Sequence, residues 1–366
     1  MSLLRLPRRT LSPLAAAALG ALLLTGCATS PSTSTNTTPN TTNTTASLGQ
    51  VTALPSYQVS VFAHGTQSYF GPDSLVDDGS HIYIDYQNKT AKDCTDATTA
   101  NSTVVEYTPD GKVVKMFSVP GHSDGMREDP SSHLLWVTSC EDGNPRLVTI
   151  DPSSGAVTPF TFPATPHGGG YDDLAFINGT AYIAASNPNL NAAGVNIYPA
   201  IDSVTLSGGT AVLKPVLMGN ASAMDATTKA TVSLNEIDPD SMTVDPQGNL
   251  VLINQGGSEL VTISNPGTPQ QSVTRLVVGD QLDDTVWATA AKGRLLVSDG
   301  TTNTTYWIRS IFVPNTANHY LYTEAPDDSG TVGFVGTIDP TTGFVTPAVI
   351  GLAKPTGMIF VPDANS

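Results

Sequence analysis

Basic residues are scarce in this chain. Lys and Arg number 16 against 32 Asp and Glu, and three of the basic residues, Arg5, Arg8 and Arg9, fall within the first fifty positions, which hold no acid. From position 51 onward 13 Lys and Arg face 32 acids, a formal charge of −19 that disfavours nucleic acid and anionic lipid headgroups. Cysteine is nearly absent, with three in 366 residues and none in Cys-x-x-Cys spacing, which excludes the usual zinc and dithiol-redox motifs. There is no Gly-x-Ser-x-Gly nucleophile elbow and no Walker-type phosphate loop. Helical periodicity is missing too: beyond the N-terminus no long segment repeats apolar residues at three- and four-residue spacing.

What is present begins with an address. Arg5, Arg8 and Arg9 precede an apolar run, Leu14 to Leu24, that is too short for a permanent membrane span, so residues 1–27 read as an export signal. Leu24-Thr25-Gly26-Cys27 resembles the lipobox of bacterial lipoproteins, which implies that Cys27 becomes the acylated first residue of the mature chain, anchored to a membrane of the cell envelope. Ala28 after it resembles sorting to an outer membrane. Residues 28–50 are almost wholly Ser, Thr, Asn and Pro, too polar to offset their ordering entropy, and read as a disordered tether. With Cys27 lipidated, Cys94 and Cys140 are an even pair in an oxidising compartment, where a disulfide is expected. It would close a loop of roughly 45 residues and contribute on the order of 3–4 kcal/mol.

Residues 51–366 are organised by a repeat. Asp73-Ser74-Leu75 leads to Ile82-Tyr83-Ile84, and relatives return at Asp124-Gly125-Met126, Asp172-Asp173-Leu174, Asp240-Ser241-Met242, Asp283-Asp284-Thr285 and Thr356-Gly357-Met358. The intervals are 51, 48, 68, 43 and 73 residues, with second hairpins such as Val104–Val114, Leu147–Val157 and Gly336–Val345 closed by Pro and Gly turns between them. Two hairpins per repeat are one four-stranded antiparallel blade, so the expectation is an all-β, six-bladed β-propeller. The fifth inner hairpin is expected to join Asp283–Trp287 to Leu295–Val297, and the early strand Tyr57–Phe62 to close the ring beside the C-terminal one. The longer intervals are expected to hold loop insertions near Pro188–Ala200 and Asn303–Ser329.

The Pro-Asp/Thr-Gly-Met/Leu turn that opens each inner strand resembles the six-bladed propellers of the gluconolactonase, regucalcin and NHL-repeat group, over about 55 to 366. The stretches Gly121–Met126, His167–Asp173 and Asp238–Met242 resemble a family of exported propeller lipoproteins without an established activity. The gluconolactonase resemblance implies a divalent cation held by a Glu at the start of one inner strand, Asn on others, and an Asp serving the water. In this chain Asp73 stands at the first position, and no Asn opens an inner strand.

Strand direction alternates within a blade, so the loops before the first strand and after the second emerge on one face. That places Asp73, His122, Asp124, His167, Asp172, Asp173, Asp240, Asp283 and Asp284 with Asn88, Asp93, Cys94, Cys140, Glu141, Asp142, Asn187, Gln255 and Asp299 around the channel mouth. Carboxylates there suit Ca²⁺ or another divalent cation, with Asp73, Asp172, Asp240 and Asp283 as candidate ligands. Each Asp is also suited to capping its own turn. His122 and His167 are candidate proton carriers or metal ligands, and Gly168-Gly169-Gly170 lets backbone approach a ligand. Asp124, Arg127, His167, Asp173 and Asp284 are the candidate ligand-binding set, with Arg127 pairing an Asp. The leading expectation is a membrane-anchored propeller that binds a ligand or protein partner at this acidic mouth. The alternatives are a divalent-metal-dependent hydrolase or lactonase, and a structural component of an envelope assembly.

Overall fold

Short apolar runs closed by Gly-bearing turns become antiparallel hairpins here. The turn before Lys112 places Gly111 at φ 84°, the one after Asp151 places Gly155 at φ 83°, and the Asp151 carboxylate accepts the Ser153 and Ser154 amides. In this computed structural model residues 50–95, 100–312, 321–325 and 332–363 are described. The export signal, Cys27 and all of the tether but Gln50 lie outside them. The described residues are all-β, with no helix, and are arranged in a propeller-like manner.

Five hydrogen-bonded sheets result. The first runs Pro72–Asp77, Ile82–Tyr86, Asn101–Tyr107 and Val113–Pro120, in chain order. An eight-stranded sheet is two such antiparallel runs, innermost strands Ser123–Glu128 and Leu174–Ile177, joined by one parallel pair, Thr161 with Thr210. A further run begins at Pro239–Val244, and the last two begin at Thr285–Trp287 and Pro355–Pro362. Each innermost strand touches the next, and Pro355–Pro362 touches Pro72–Asp77, so the set closes on itself.

The core lies between sheets. Val76, Tyr83, Val104 and Phe117 pack against Met126, Leu135, Val137 and Val148 of the neighbouring run, all buried. Each such side chain contributes roughly 1.5–3 kcal/mol on leaving water. Trp136 is buried edge-on against Phe176, and Trp307 lies beneath the Arg294 guanidinium at 4.1 Å, so both are packing residues.

Four sequence expectations are corrected. Gln58–His64 does not lie beside Pro355–Pro362; they are the two edges of one sheet, with Gly293–Asp299 and Thr304–Arg309 between them. Thr285–Trp287 pairs with Leu321–Ala325, not with the Leu295–Val297 segment, which pairs with Pro355–Pro362. The chain thus leaves one sheet after its innermost strand, builds two strands of the next, and returns. Gly293 permits the exchange: a Cβ there would stand 2.5 Å from the Phe360 ring and 2.7 Å from the Val361 carbonyl. The stretch 303–329 is consequently not all loop, since it carries Thr304–Arg309 and Leu321–Ala325. Finally, the 68-residue interval holds an additional hairpin, Ser222–Asp225 with Thr231–Ser233, joined in parallel to Ser272–Val277.

Candidate functional site

The residues that open the innermost strands alternate in kind, and their bonds alternate with them. Ser74, Asp173 and Asp284 each accept the backbone N–H of a Met in the following run: Met126 at 3.1 Å, Met242 at 2.9 Å and Met358 at 2.9 Å. Between them stand the small residues Gly125, Ser241 and Gly357. A Cβ on Gly125 would lie 2.5 Å from the Asp173 Cα, and one on Gly357 2.1 Å from the Asp73 carbonyl oxygen. Inner strands are therefore drawn together by a side-chain acceptor at every second junction and, at Gly125 and Gly357 between them, by a missing side chain.

Arg127 fills the middle. Its guanidinium donates to Asp173 Oδ2 at 2.5 Å, to the Met242 carbonyl at 3.0 Å and to the Met126 carbonyl at 2.8 Å, with Asp284 Oδ1 at 3.9 Å. Asp173 and Asp284 are thus structural counter-charges. Burial outweighs the Arg127 charge and pushes the Asp173 carboxyl up to about 7, and Asp284 is raised for the same reason.

Asp73, Asp124, Asp172, Asp240 and Asp283 converge on a cavity of about 270 Å³, joined by Glu141, Asp142, Asp238, Gln87, Asn187, Gln255, Lys92 and Lys354. They do not cap their own turns. Asp73 accepts Gln87 Nε2 at 2.6 Å, and the same amide reaches Asp124 at 3.5 Å. Ser241 Oγ bonds Asp283 at 3.2 Å. Burial first, and neighbouring carboxylates second, hold Asp73, Asp172 and Asp283 well above the ordinary carboxylate value. Asp240 is raised as well, chiefly by burial. The result is a set of carboxyls crowded into one polar cavity.

One wall carries a mixed donor group. A His122 ring nitrogen and carboxylate oxygens of Asp124 and Glu141 lie within 4.8 Å of one another. Asp73, Asp172, Asp240 and Asp283 do not form such a group among the described residues. His122 is 4% exposed, its Nδ1 lies 2.9 Å from the Thr90 carbonyl, and its Nε2 has no partner. Burial lowers its pKa, so the ring is neutral with a free lone pair. A divalent cation fits these donors. Glu141 is ion-paired with Lys92, whose side chain is 56% exposed, and Cys140 beside it forms the expected disulfide with Cys94, Cα to Cα 5.3 Å.

His167 does not reach the cup. It is fully buried, donates from Nε2 to the Gly170 carbonyl at 2.8 Å and packs edge-on against Tyr171. The glycines after it serve packing: a Cβ on Gly170 would stand 2.2 Å from the Cys140 carbonyl, and one on Gly169 2.1 Å from the Ser186 carbonyl. Asn88, Asp93 and Asp299 stay outside the lining as well; Asp299 instead accepts the Ala353 and Lys354 amides. Sequence reasoning put Glu141 on this face without joining it to His122 and Asp124, and gave no role to Gln87 or Lys92. Only the proximity of Cys140 to Glu141, and of Cys94 to Lys92, carried a signal.

No protein-family model matches the chain, and no curated protein does. Among solved structures it is similar to a putative gluconolactonase, at 11% identity and TM-score 0.45 over 85% of this chain and 90% of that one. A streptogramin B lyase gives 12% and 0.43 over 85% and 88%. The periplasmic gluconolactonase of Pseudomonas aeruginosa gives 10% and 0.43 over 80% and 89%. The chemistry of the site rests on its own residues.

Proposed function

We propose that this chain is a divalent-cation-dependent hydrolase of polar cyclic esters, working in the acidic cup of a six-bladed propeller. The observation that carries the reading is the buried pair Asp172 and Asp240, both raised well above the ordinary carboxylate value in one polar cavity that Asp124 also lines. In this reading Asp172 gives a proton to the departing alkoxide and Asp240 replaces it. Lys92 and Lys354 stand among the acids lining the cup, where an ammonium donates to a carbonyl oxygen as charge develops on it. A divalent cation supplies carbonyl polarisation and a more acidic water. The acidic lining disfavours phosphorylated or carboxylate-bearing ligands, and its polarity disfavours apolar ones. The closed set of innermost strands supports the six-bladed reading.

The export signal and lipobox support an envelope lipoprotein anchored through Cys27 on the tether 28–50. No separate observation favours a binding module without chemistry, or an assembly component. The test is hydrolysis of a panel of γ- and δ-lactones by the whole chain, with and without EDTA. Turnover that EDTA abolishes and Asp172→Asn lowers at least tenfold supports the reading. No turnover of any lactone with any divalent ion overturns it.

A further inference from the structure

We propose that His122, Asp124 and Glu141 bind one first-row transition dication, and that the Cys94–Cys140 disulfide is the plate on which this centre is built. The inference rests on the reading that a cation works in the cup, and it names the class of ion and the ligands. The decisive group is the imidazole. Thr90 O and Thr90 Oγ1 each lie 2.9 Å from His122 Nδ1; the carbonyl only accepts and the hydroxyl gives its proton to the Gln87 carbonyl at 2.6 Å, which puts the imidazole proton on Nδ1. Nε2 is then an acceptor, 4% exposed as a residue and without a donor. Leaving such an atom unsatisfied is costly, and a histidine anchored by Nδ1–H to a carbonyl is the arrangement that orients a metal ligand. With Asp124 and Glu141 oxygens inside the same 4.8 Å group, the donor set is one nitrogen and two carboxylates. Calcium prefers six to eight oxygens, whereas imidazole with carboxylate suits Zn²⁺ or Mn²⁺.

The disulfide holds these donors in place. Cys140 precedes Glu141, the His122 N–H points at Cys94 Sγ over 3.4 Å, and Gly121 is so close that a Cβ would stand 2.6 Å from that sulfur. Lys92, two residues before Cys94, lays its ammonium on Glu141 and competes with an ion for that carboxylate. With 56% of its side chain exposed, it has water to retreat into.

The test is calorimetric titration of the whole chain with Zn²⁺, Mn²⁺ and Ca²⁺, together with pulsed EPR of the Mn²⁺-loaded wild type. The expected results are a ¹⁴N coupling from one bound imidazole and Zn²⁺ binding tighter than Ca²⁺. His122→Ala and Glu141→Gln should weaken Zn²⁺ at least about tenfold, the range set by metal-site substitutions. Asp283→Asn should change it less than about threefold, and Lys92→Met should tighten it. Calcium bound more tightly than Zn²⁺ without a ¹⁴N coupling overturns the proposal, whether or not the variants fold. Lactone hydrolysis with His122-independent metal binding overturns this centre and leaves the hydrolase standing. His122-dependent Zn²⁺ binding without hydrolysis of any lactone supports the centre and overturns the hydrolase.

Discussion

Arg127 and Asp173 meet at 2.5 Å across the middle of the ring, one from the strand Ser123–Glu128 and the other from the turn before Leu174–Ile177. Removing either partner strands a buried charge, because Asp284 alone, at 3.9 Å, cannot replace Asp173. Arg127→Met is expected to destabilise the fold by about 3–5 kcal/mol in denaturant titration. Arg127→Met with Asp173→Asn should cost less than the sum of the single changes. Additive costs would remove the pair from its structural role.

The raised carboxyls set a pH dependence. A carboxyl whose folded pKa is raised keeps a proton that the unfolded chain has lost, so its stability contribution is greatest in acid and declines from about pH 4 upward. The decline extends through about pH 7 for Asp173, and Asp73, Asp172, Asp240 and Asp283 act in the same direction. The metal-free chain is therefore expected to melt at a higher temperature at pH 5 than at pH 8, and Zn²⁺ to raise Tm more at pH 8. Scanning calorimetry across that range checks both signs.

Glu236 isolates the same effect away from the cup. It is fully buried, neither carboxyl oxygen has a hydrogen-bond partner, and burial with the nearby Glu259 pushes it up to about 8. Glu236→Gln should stabilise the chain at pH 8, on the order of a few kcal/mol, and have little effect at pH 5. An equal change at both values would show that ionisation is not the cause.

Loss of the disulfide should act twice. Cys94→Ala with Cys140→Ala is expected to lower stability by about 3–4 kcal/mol, given the separation of 46 residues. It should also weaken Zn²⁺ binding, because Glu141 and the His122 backbone lose their common support. Mass spectrometry of the unreduced chain should return one peptide pair joining the two cysteines.

Gly357→Ala tests the alternating junctions. The added Cβ would meet the Asp73 carbonyl at 2.1 Å, a backbone atom that can yield only by parting two inner strands. The expected cost is about 1–3 kcal/mol. A neutral result would show that the junction is looser than its geometry.

Hairpins were legible in the sequence wherever the pairing is local, as at Leu147–Val157, because the turn residues and the period of two both lie within a dozen positions. The exchange of Thr285–Trp287 with Leu321–Ala325 was not legible, since an apolar strand such as Gly293–Asp299 presents the same alternation to either neighbour. Gly293 carried the one relevant mark, an absent side chain, and its meaning depends on Phe360. The recurring Asp positions revealed the cup, because repetition puts equivalent residues at equivalent places. They did not single out Asp173 and Asp284, which line the same cavity one position further on but bind Arg127. His122 and His167 looked alike in sequence, and each sets one ring nitrogen on a backbone carbonyl and leaves the other without a partner; the Asp124 and Glu141 carboxylates beside His122 distinguish them.

The two edges of the sheet that holds both Gln58–His64 and Pro355–Pro362 have different mechanical duties. A pull on the N-terminal side loads first the two residue pairs of Thr52–Ala53 with Val345–Leu352, then the ladder between Gln58–His64 and Thr304–Arg309. Both are outermost strands, so they can unzip one pair at a time while Pro355–Pro362 stays clasped to Gly293–Asp299. Such a chain yields at its rim under tension and keeps its cup intact.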